Sequence, residues 1–327
     1  VISRARKNPK RVVFAEAHDL KILKAAQTIQ DEGIAKPILL GRKDVIQSLV
    51  EEHNLELTEC QIIDNYDEND RIHIYADALY EKRKRKGLTK YDAVKLMRER
   101  NYFGCMMVEN GEADAFISGL TKDYPKTILP ALQVIGTSEE HRRVAGMYII
   151  MNKNGTFFFS DTTVNVHPNP EELADIIQMT ARGVKFFDIE PRMAVLSYSN
   201  FGTSKGYVPD KARTAVQIAQ ERNPTLIIDG DIQANVALNT SIQKENYPFS
   251  NLADKGANTL IFPDLASGNI AYKLVMEIGG AEAIGPILLG MKKPVHILQL
   301  GSSIRDIVNM AAIAVVDAQT FDKKKSK

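Results

Sequence analysis

The sequence predicts an α/β protein built on mostly parallel sheets. Three observations carry that expectation. Short apolar runs alternate with helix-length amphipathic segments almost from end to end, which is the βαβ rhythm of crossover-connected strands. Several of the runs (VVFAEA, MAVLSYS, TLIIDG, TLIFPD, VHILQL) are apolar on both faces rather than alternating, as strands covered by helices on both sides must be. The length of 327 residues exceeds what one hydrophobic core usually organises, so two domains are expected.

In chain order, strands are expected at 11–17, 37–40, 113–118, 144–151, 156–160, 192–199, 225–229, 259–263 and 294–298. Helices are expected near 19–33, 68–86, 89–101, 125–136, 170–186, 208–222, 267–279 and 303–317. Periodicity fixes no domain boundary, and no internal repeat stands out. Open parallel sheets bind ligands at the carboxyl ends of their strands. Polar, glycine-containing segments follow expected strands at 118–123, 197–204, 229–233, 264–269 and 299–303. Their convergence on one cleft is the natural functional hypothesis.

Composition narrows the function classes. Hydrophobic residues make up 44% and charged residues 25%, with a formal net charge of +1. That balance suits a soluble globular protein and gives no global field for nucleic acid or an anionic membrane. No apolar run approaches the ~18 residues of a membrane span, and the start lacks a signal-peptide pattern. Cys60 and Cys105 supply neither a disulfide framework nor metal-ligand spacing, so a reducing cytoplasm is the expected location. The six histidines show no HxxH or HExxH spacing, and no Ser-His-Asp order can be assembled. The run KRKRK at 82–86 lies before Gly87, where cations complement a helix dipole; it reads as a solvated helix end rather than a nucleic-acid patch. The chain opens at Val1 without Met, on a segment that reads as a helix end running into a strand. A domain cut from a longer polypeptide is expected, with tag removal or disorder as alternatives.

Three motifs carry candidate chemistry. In SYSNFGTS, 197–204, the hydroxyls and Gly202 can place backbone N–H groups against a phosphate or carbonyl oxygen; the plain alternative is a strand-exit turn. In DLASGNIAYK, 264–273, Ser267 can cap a helix, leaving Asn269 and Lys273 four residues apart on one face. That helix start can hold an anion, or it is a plain cap with a surface lysine. In QLGSSIRD, 299–306, Ser302 or Ser303 is a good cap and Asp306 sits in the first turn. Asp306 then either complements the dipole or acts as a cleft carboxylate that takes a proton.

Taken together, these strings resemble the phosphate acetyl- and butyryltransferases. DLASGNIAYKLVMEIGGAEAIGPILLGMKKPV is similar to that family's DLNAGNIGYKL…GAEAIGPILQGLNKPV signature. RVVFAEAHDLKILKAA resembles its N-terminal strand and helix, NYFGCMMVENGEADAFISG its central segment, and DIQANVAL and SSIRDIVNMAAIAV occupy matching places. The resemblance covers essentially the whole chain. It implies two three-layer α/β domains, 1–138 plus 290–327 and an inserted 139–289, with a cleft between them and a homodimeric assembly. Family members transfer an acetyl group between CoA and phosphate: an aspartate takes the CoA thiol proton, the thiolate attacks the acetyl phosphate carbonyl, and arginines hold the phosphate.

Carried over by position, Asp306 matches the family's base and Arg83 an active-site arginine. Ser199, Gly202 and Ser204 match an STKGS-like loop, Asn269 and Lys273 the GNIGYK polar pair, and Ser302 and Ser303 lie in the SRGCS-like segment. Three positions depart from the pattern. Leu129 stands where an arginine is expected in LRPALQ, Gln299 replaces a serine, and Leu300 replaces a second arginine. Hydrogen bonds to charged groups are worth ~1.5–3 kcal/mol each, so losing two arginine–phosphate contacts removes roughly 3–6 kcal/mol, about 10²- to 10⁴-fold in rate. Lys122 or Lys126 can compensate in part, without the planar fork of an arginine.

The altered loops GLTKDYP and LQLGSSIRDIVNMA resemble the C-terminal phosphotransacetylase-like domain of bacterial hybrid NADP-dependent malic enzymes. The first expectation is therefore a regulatory domain that binds acetyl-CoA or a related acyl-CoA, with weak or lost transfer of its own. It would partner an N-terminal malic domain, which alone would carry NADP and a divalent metal. The second is a working phosphate acyltransferase with a remodelled phosphate site. The third is a structural oligomerisation domain that binds no ligand.

Overall fold

The computed structural model describes residues 1–141 and 143–325, the last three by backbone alone. Eleven strands are described: β1 (Arg11–Phe14), β2 (Lys36–Leu40), β3 (Gln61–Ile63), β4 (Ala115–Ser118), β5 (Ala145–Asn152), β6 (Gly155–Ser160), β7 (Arg192–Leu196), β8 (Ile227–Ile232), β9 (Thr259–Ile261), β10 (Glu282–Leu289) and β11 (Val295–Ile297). The chain divides into two compact units, Val1–Glu139 with Met291–Lys327, and Glu140–Gly290.

In the first unit the sheet order is β11-β4-β1-β2-β3, every neighbour parallel. The chain builds outward from β1 through β2 to β3, then returns to place β4 on the other side of β1. That reversal makes the β1–β4 boundary the topological switch point of the sheet. Helices Leu20–Asp31 and Ile304–Lys325 pack against each other. Helix Arg100–Glu109 lies on the sheet at Gly104, where a Cβ would come within 2.6 Å of the Phe116 ring. Among the described residues no helix is long and apolar enough to cross a membrane.

In the second unit the order is β10-β5-β6-β9-β7-β8. Strands β6, β9, β7 and β8 run parallel, while β5 pairs antiparallel with both β6 and β10. Strand β7 shows why such strands read as unbroken apolar runs. Its Met193 and Val195 enter a core with helices Pro170–Lys185 and Tyr207–Arg222, while Ala194 and Leu196 enter another with helices Ala234–Leu238 and Leu265–Glu277. Alternate side chains point to opposite faces, and both faces are buried. The α/β class with mostly parallel sheets is thus as the sequence predicts, and the two antiparallel pairings mark one edge of the second sheet.

The differences in detail have local causes. Strand β10 was not expected, because Pro286 interrupts its pattern; proline is tolerated there since β10 lies at the sheet edge. The helix expected at 89–101 is two, Lys90–Met97 and Arg100–Glu109. Helix Lys43–Glu52 was not expected although Val45, Ile46, Leu49 and Val50 recur at helical spacing, and strand β3, three residues long with one buried, is too short to show an alternation. The strand expected at 11–17 ends at Phe14 because the chain turns so that Glu16 points into the sheet end.

One close approach in this fold is open to test. Gly268 lies in the first turn of helix Leu265–Glu277, and a Cβ there would sit 2.4 Å from the Asp161 carbonyl oxygen. Gly268→Ala should lower the unfolding free energy by about 1–3 kcal/mol, read as a lower urea midpoint, since overpacking against backbone outweighs the gain in helix propensity. An unchanged or higher midpoint would show that the helix start is free to move.

Candidate functional site

The first unit gathers its polar residues at the carboxyl ends of β1, β4 and β11. After β11 the chain makes a tight turn in which Ser302 donates its N–H to the Gln299 carbonyl at 3.1 Å. The Ser302 hydroxyl in turn accepts the Gln299 N–H, also at 3.1 Å. Ser303 then starts the last helix. Its N–H and its hydroxyl both donate to Asp306 Oδ2 at 2.8 Å, and the Asp306 N–H donates back to the Ser303 hydroxyl at 3.2 Å. This reciprocal pair is a capping box. Ser303, not Ser302, is the cap, and Asp306 completes it through one oxygen. Oδ1 accepts no hydrogen bond among the described residues, so capping and proton acceptance are compatible on one carboxylate.

The same edge carries a carboxylate that the sequence reading passed over. Glu16, only 3% exposed, accepts the backbone N–H groups of Gly119, Leu120 and Thr121 at 2.6, 2.7 and 2.9 Å. The hydroxyls of Ser118 and Thr121 also donate to it. Lys21 Nζ donates to the Ser302 carbonyl at 3.2 Å, tying the segment after Glu16 to the Ser302 turn. A glutamate directly past a buried apolar strand, with a Gly-containing strand exit elsewhere in the same βαβ series, is the signal that could have raised this contact.

Of the departures, Leu129 is 48% exposed on helix Tyr124–Val134, and Leu300 is 62% exposed in the turn after β11. Both leucines therefore lie at the surface, where a charged side chain would be at home. Lys126 pairs with Asp123 at 3.2 Å; Lys122, half-buried, has no ion-pair partner among the described residues. Arg83 ends helix Asn69–Arg83 and is half-buried, with no ion pair among the described residues. It lies near the Tyr102 phenol, which burial and Glu99 push up and Arg83 opposes. Tyr102 donates to Gln133 at 2.8 Å, which places Arg83 toward the helix that carries Leu129. Its neighbour Lys82 instead ties down the Val134 carbonyl and Glu109, and the rest of KRKRK forms an exposed helix end closed by Gly87 at φ 85°.

In the second unit the loop 197–204 is closed upon itself. Ser199 is fully buried, and its hydroxyl accepts the Ser204 N–H at 3.0 Å. Asn200 donates to the Thr203 hydroxyl at 3.0 Å, and Thr203 to the Asn200 carbonyl at 3.1 Å. Phe201 donates to the Asp231 carbonyl at 2.7 Å and Gly202 to Asp231 Oδ1 at 3.1 Å. The N–H groups of residues 200–204 are thus engaged within the loop or by Asp231 of β8. What it presents outward is side chains, Ser204 among them. Asp231, fully buried, also receives Arg213 Nη1 at 3.0 Å, while Gln233 ties Asn200 and the Tyr198 carbonyl. Phe201 takes a left-handed φ of 48°, strain in a bulky residue that this clamp sustains.

Asn269 and Lys273 share a helix face as expected: Lys273 Nζ donates to Asn269 Oδ1 at 2.7 Å, and Asn269 Nδ2 donates to the Thr162 carbonyl at 3.2 Å. The cap of that helix is Asp264, whose carboxylate accepts the Ser267 N–H at 2.8 Å; Ser267 lies one turn inside. The aspartate wins because its position is extended backbone while Ser267 is already helical. Nearby Lys211 is buried and donates to the Pro263 carbonyl at 2.6 Å. Burial pushes its amine below the usual lysine range, against the pull of Asp264. Asp161 accepts the N–H groups of Gly146, Thr163, Val164 and Asn165, organising the segment under Asn269. Among the described residues no group of three or more His, Cys, Asp or Glu could hold a metal ion.

These sites can be set against known proteins. The family described as Phosphate acetyl/butaryl transferase matches residues 1–315. The chain is 39% identical over 326 residues to the phosphate acetyltransferase of Thermoanaerobacterium thermosaccharolyticum, covering 98% of each. It is 38% identical over 327 residues to the NADP-dependent malic enzyme of Salmonella typhimurium, covering 98% of this chain and 43% of that one. A phosphotransacetylase structure from Streptococcus pyogenes superposes with a TM-score of 0.92 at 36% identity, over 98% of this chain and 97% of that one.

Proposed function

This chain belongs to the phosphate acetyl/butaryl transferase family, and on that premise we propose that it binds acetyl-CoA or a related acyl-CoA and, in the direction of attack by the CoA thiolate on an acyl phosphate, transfers the acyl group weakly or not at all. Asp306 is the group that takes the thiol proton, on Oδ1, the oxygen its capping box leaves open. The proposal rests above all on Leu129 and Leu300, exposed leucines at positions where the resemblance expects arginines. Without those cations the leaving phosphate has lost the charge-assisted hydrogen bonds that favour the transition state. Ser199, Gly202, Ser204, Asn269, Lys273, Ser302 and Ser303 are assigned to acyl-CoA, and Arg83 to the acyl phosphate.

A second reading, a working phosphate acyltransferase, is favoured by two observations. The chain is 39% identical to a relative named phosphate acetyltransferase, and a phosphotransacetylase structure superposes on it with a TM-score of 0.92. One experiment separates the two. Wild type should bind acetyl-CoA saturably by calorimetry yet show little acetyl-CoA formation from acetyl phosphate. Leu129→Arg/Leu300→Arg should raise kcat/KM at least ~10²-fold, the conservative end of what two phosphate contacts supply. Wild-type turnover near ~10² s⁻¹ would establish the second reading instead.

The biological role we assign is control of a malic enzyme domain in the same polypeptide, in the cytoplasm, with NADP and a divalent metal on that domain only. A ligand changes a distant activity only through unequal affinity for two states, and ~1–3 kcal/mol of coupling shifts binding 5- to 150-fold. In a chain carrying both domains, deletion of these 327 residues should abolish the response of malate decarboxylation to acetyl-CoA and leave basal activity. Full retention of the response would refute the assignment.

A homodimer is also proposed. Ile270, Leu274 and Ile278 are 58%, 50% and 82% exposed at helical spacing, beside β10, which pairs with β5 alone. An apolar stripe next to an open strand edge is what a second copy of the chain would cover. Light scattering should give twice the chain mass, and Leu274→Asp/Ile278→Asp should give a folded monomer; a monomeric wild type at micromolar concentration would count against it.

A further inference from the structure

Doubly wound sheets take their ligands in the crevice at the switch point, which here is the boundary of β1 and β4. In this chain the protein's own carboxylate lies there. Glu16 leaves the end of β1 and receives three backbone N–H groups and two hydroxyls from the exit of β4. A carboxylate offers about four lone-pair sites, so Glu16 is saturated by this loop and has nothing to offer a substrate. Its effect must pass through what it holds.

What it holds leads to Asp306. Gly119, with φ 108°, is so close to the end of β11 that a Cβ would lie 2.7 Å from Ile297 Cγ2 and 2.8 Å from the Leu298 carbonyl oxygen. Leu298 donates its N–H to the Ser118 carbonyl at 2.8 Å. The next residue is Gln299, which closes the turn onto Ser302, and Ser303 caps the helix through Asp306. From the other side Lys21, five residues beyond Glu16, holds the Ser302 carbonyl. The turn that presents Asp306 is thus braced on the loop that Glu16 fixes.

We propose that Glu16 is a positioning residue for Asp306: its carboxylate fixes 118–121, and the close approach of Gly119 to Leu298 passes that placement to the 299–306 turn. The inference deepens the reading of Asp306 as the proton acceptor for an acyl-CoA thiol and rests on it. A neutral amide would present N–H donors to N–H donors, so the charge itself is required. A merely local role, in which Glu16 only satisfies the loop's N–H groups, differs in one respect: the 299–306 turn would not sense its loss.

Glu16→Ala opens a site with three N–H donors and room for formate. Amide hydrogen exchange, read segment by segment, should quicken at least ~10-fold at both 119–121 and 299–306, and formate should restore both where an equal concentration of chloride does not. Acetyl-CoA affinity should fall at least ~10-fold and recover with formate. Glu16→Gln keeps the volume, should quicken the same two segments, and should not respond to formate; it carries the test if Glu16→Ala fails to fold. Faster exchange confined to 119–121, or exchange that formate leaves unchanged in Glu16→Ala, overturns the proposal. Should wild type itself neither bind acetyl-CoA nor transfer an acyl group, the functional reading fails, and exchange at 299–306 still decides the positioning.

Discussion

Where a parallel sheet lies between two layers of helices, the N–H groups leaving each strand have little water to turn to. Each must find an acceptor, because a buried unpaired donor costs as much as the bonds that hold the fold. This chain meets that constraint with buried carboxylates at strand exits. Glu16 collects the N–H groups after β4, Asp161 those after β6, and Asp231 binds the loop that follows β7. Each takes a polar loop that would otherwise sample many conformations and gives it one.

The constraint also decides what the loops can offer. Once its N–H groups are engaged internally, the 199–204 loop presents hydroxyls rather than a backbone nest. The helix start at Asp264 is likewise occupied by its own carboxylate. The chain therefore meets any anion chiefly with side chains, and the identities of those side chains carry more weight than they would in an open phosphate loop. That is why Leu129 and Leu300 carry the proposed reading: the 199–204 loop and the Asp264 helix start have N–H groups already engaged. Lys126 is paired with Asp123, which leaves Lys122 as the cation with the fewest ties near the β4 exit.

Overall similarity does not choose between the two uses of this fold, since the chain is almost equally similar to a phosphate acetyltransferase and to part of a malic enzyme. The proposed role instead turns on a few side chains in a framework shared with a phosphotransacetylase structure. An Asp306 braced by its capping box keeps its place whether or not phosphate is held well. On the proposed reading, such a site suits a domain that binds acyl-CoA, whether or not it also transfers the acyl group. On this view, sensing and catalysis differ by the grip on one leaving group rather than by fold.

By itself the sequence determined the α/β class, because strands buried on both faces must be apolar on both faces, and runs such as MAVL in β7 announce it. It also determined the helix-face pair Asn269 and Lys273 and a cap at Ser302 or Ser303 with Asp306 in the first turn, since each depends on spacing within one turn; the fold then chose Ser303. Only the tertiary structure decided which acceptors the strand exits would use. Glu16 meets Gly119 across 103 residues, and Phe201 and Gly202 meet Asp231 across about thirty, so no local pattern encodes those bonds. The same holds for the edge position that admits Pro286 in β10 and for the backbone that forbids a side chain at Gly268. Local spacing is written in the chain one turn at a time, whereas the partner of a buried charge is fixed only when distant segments pack.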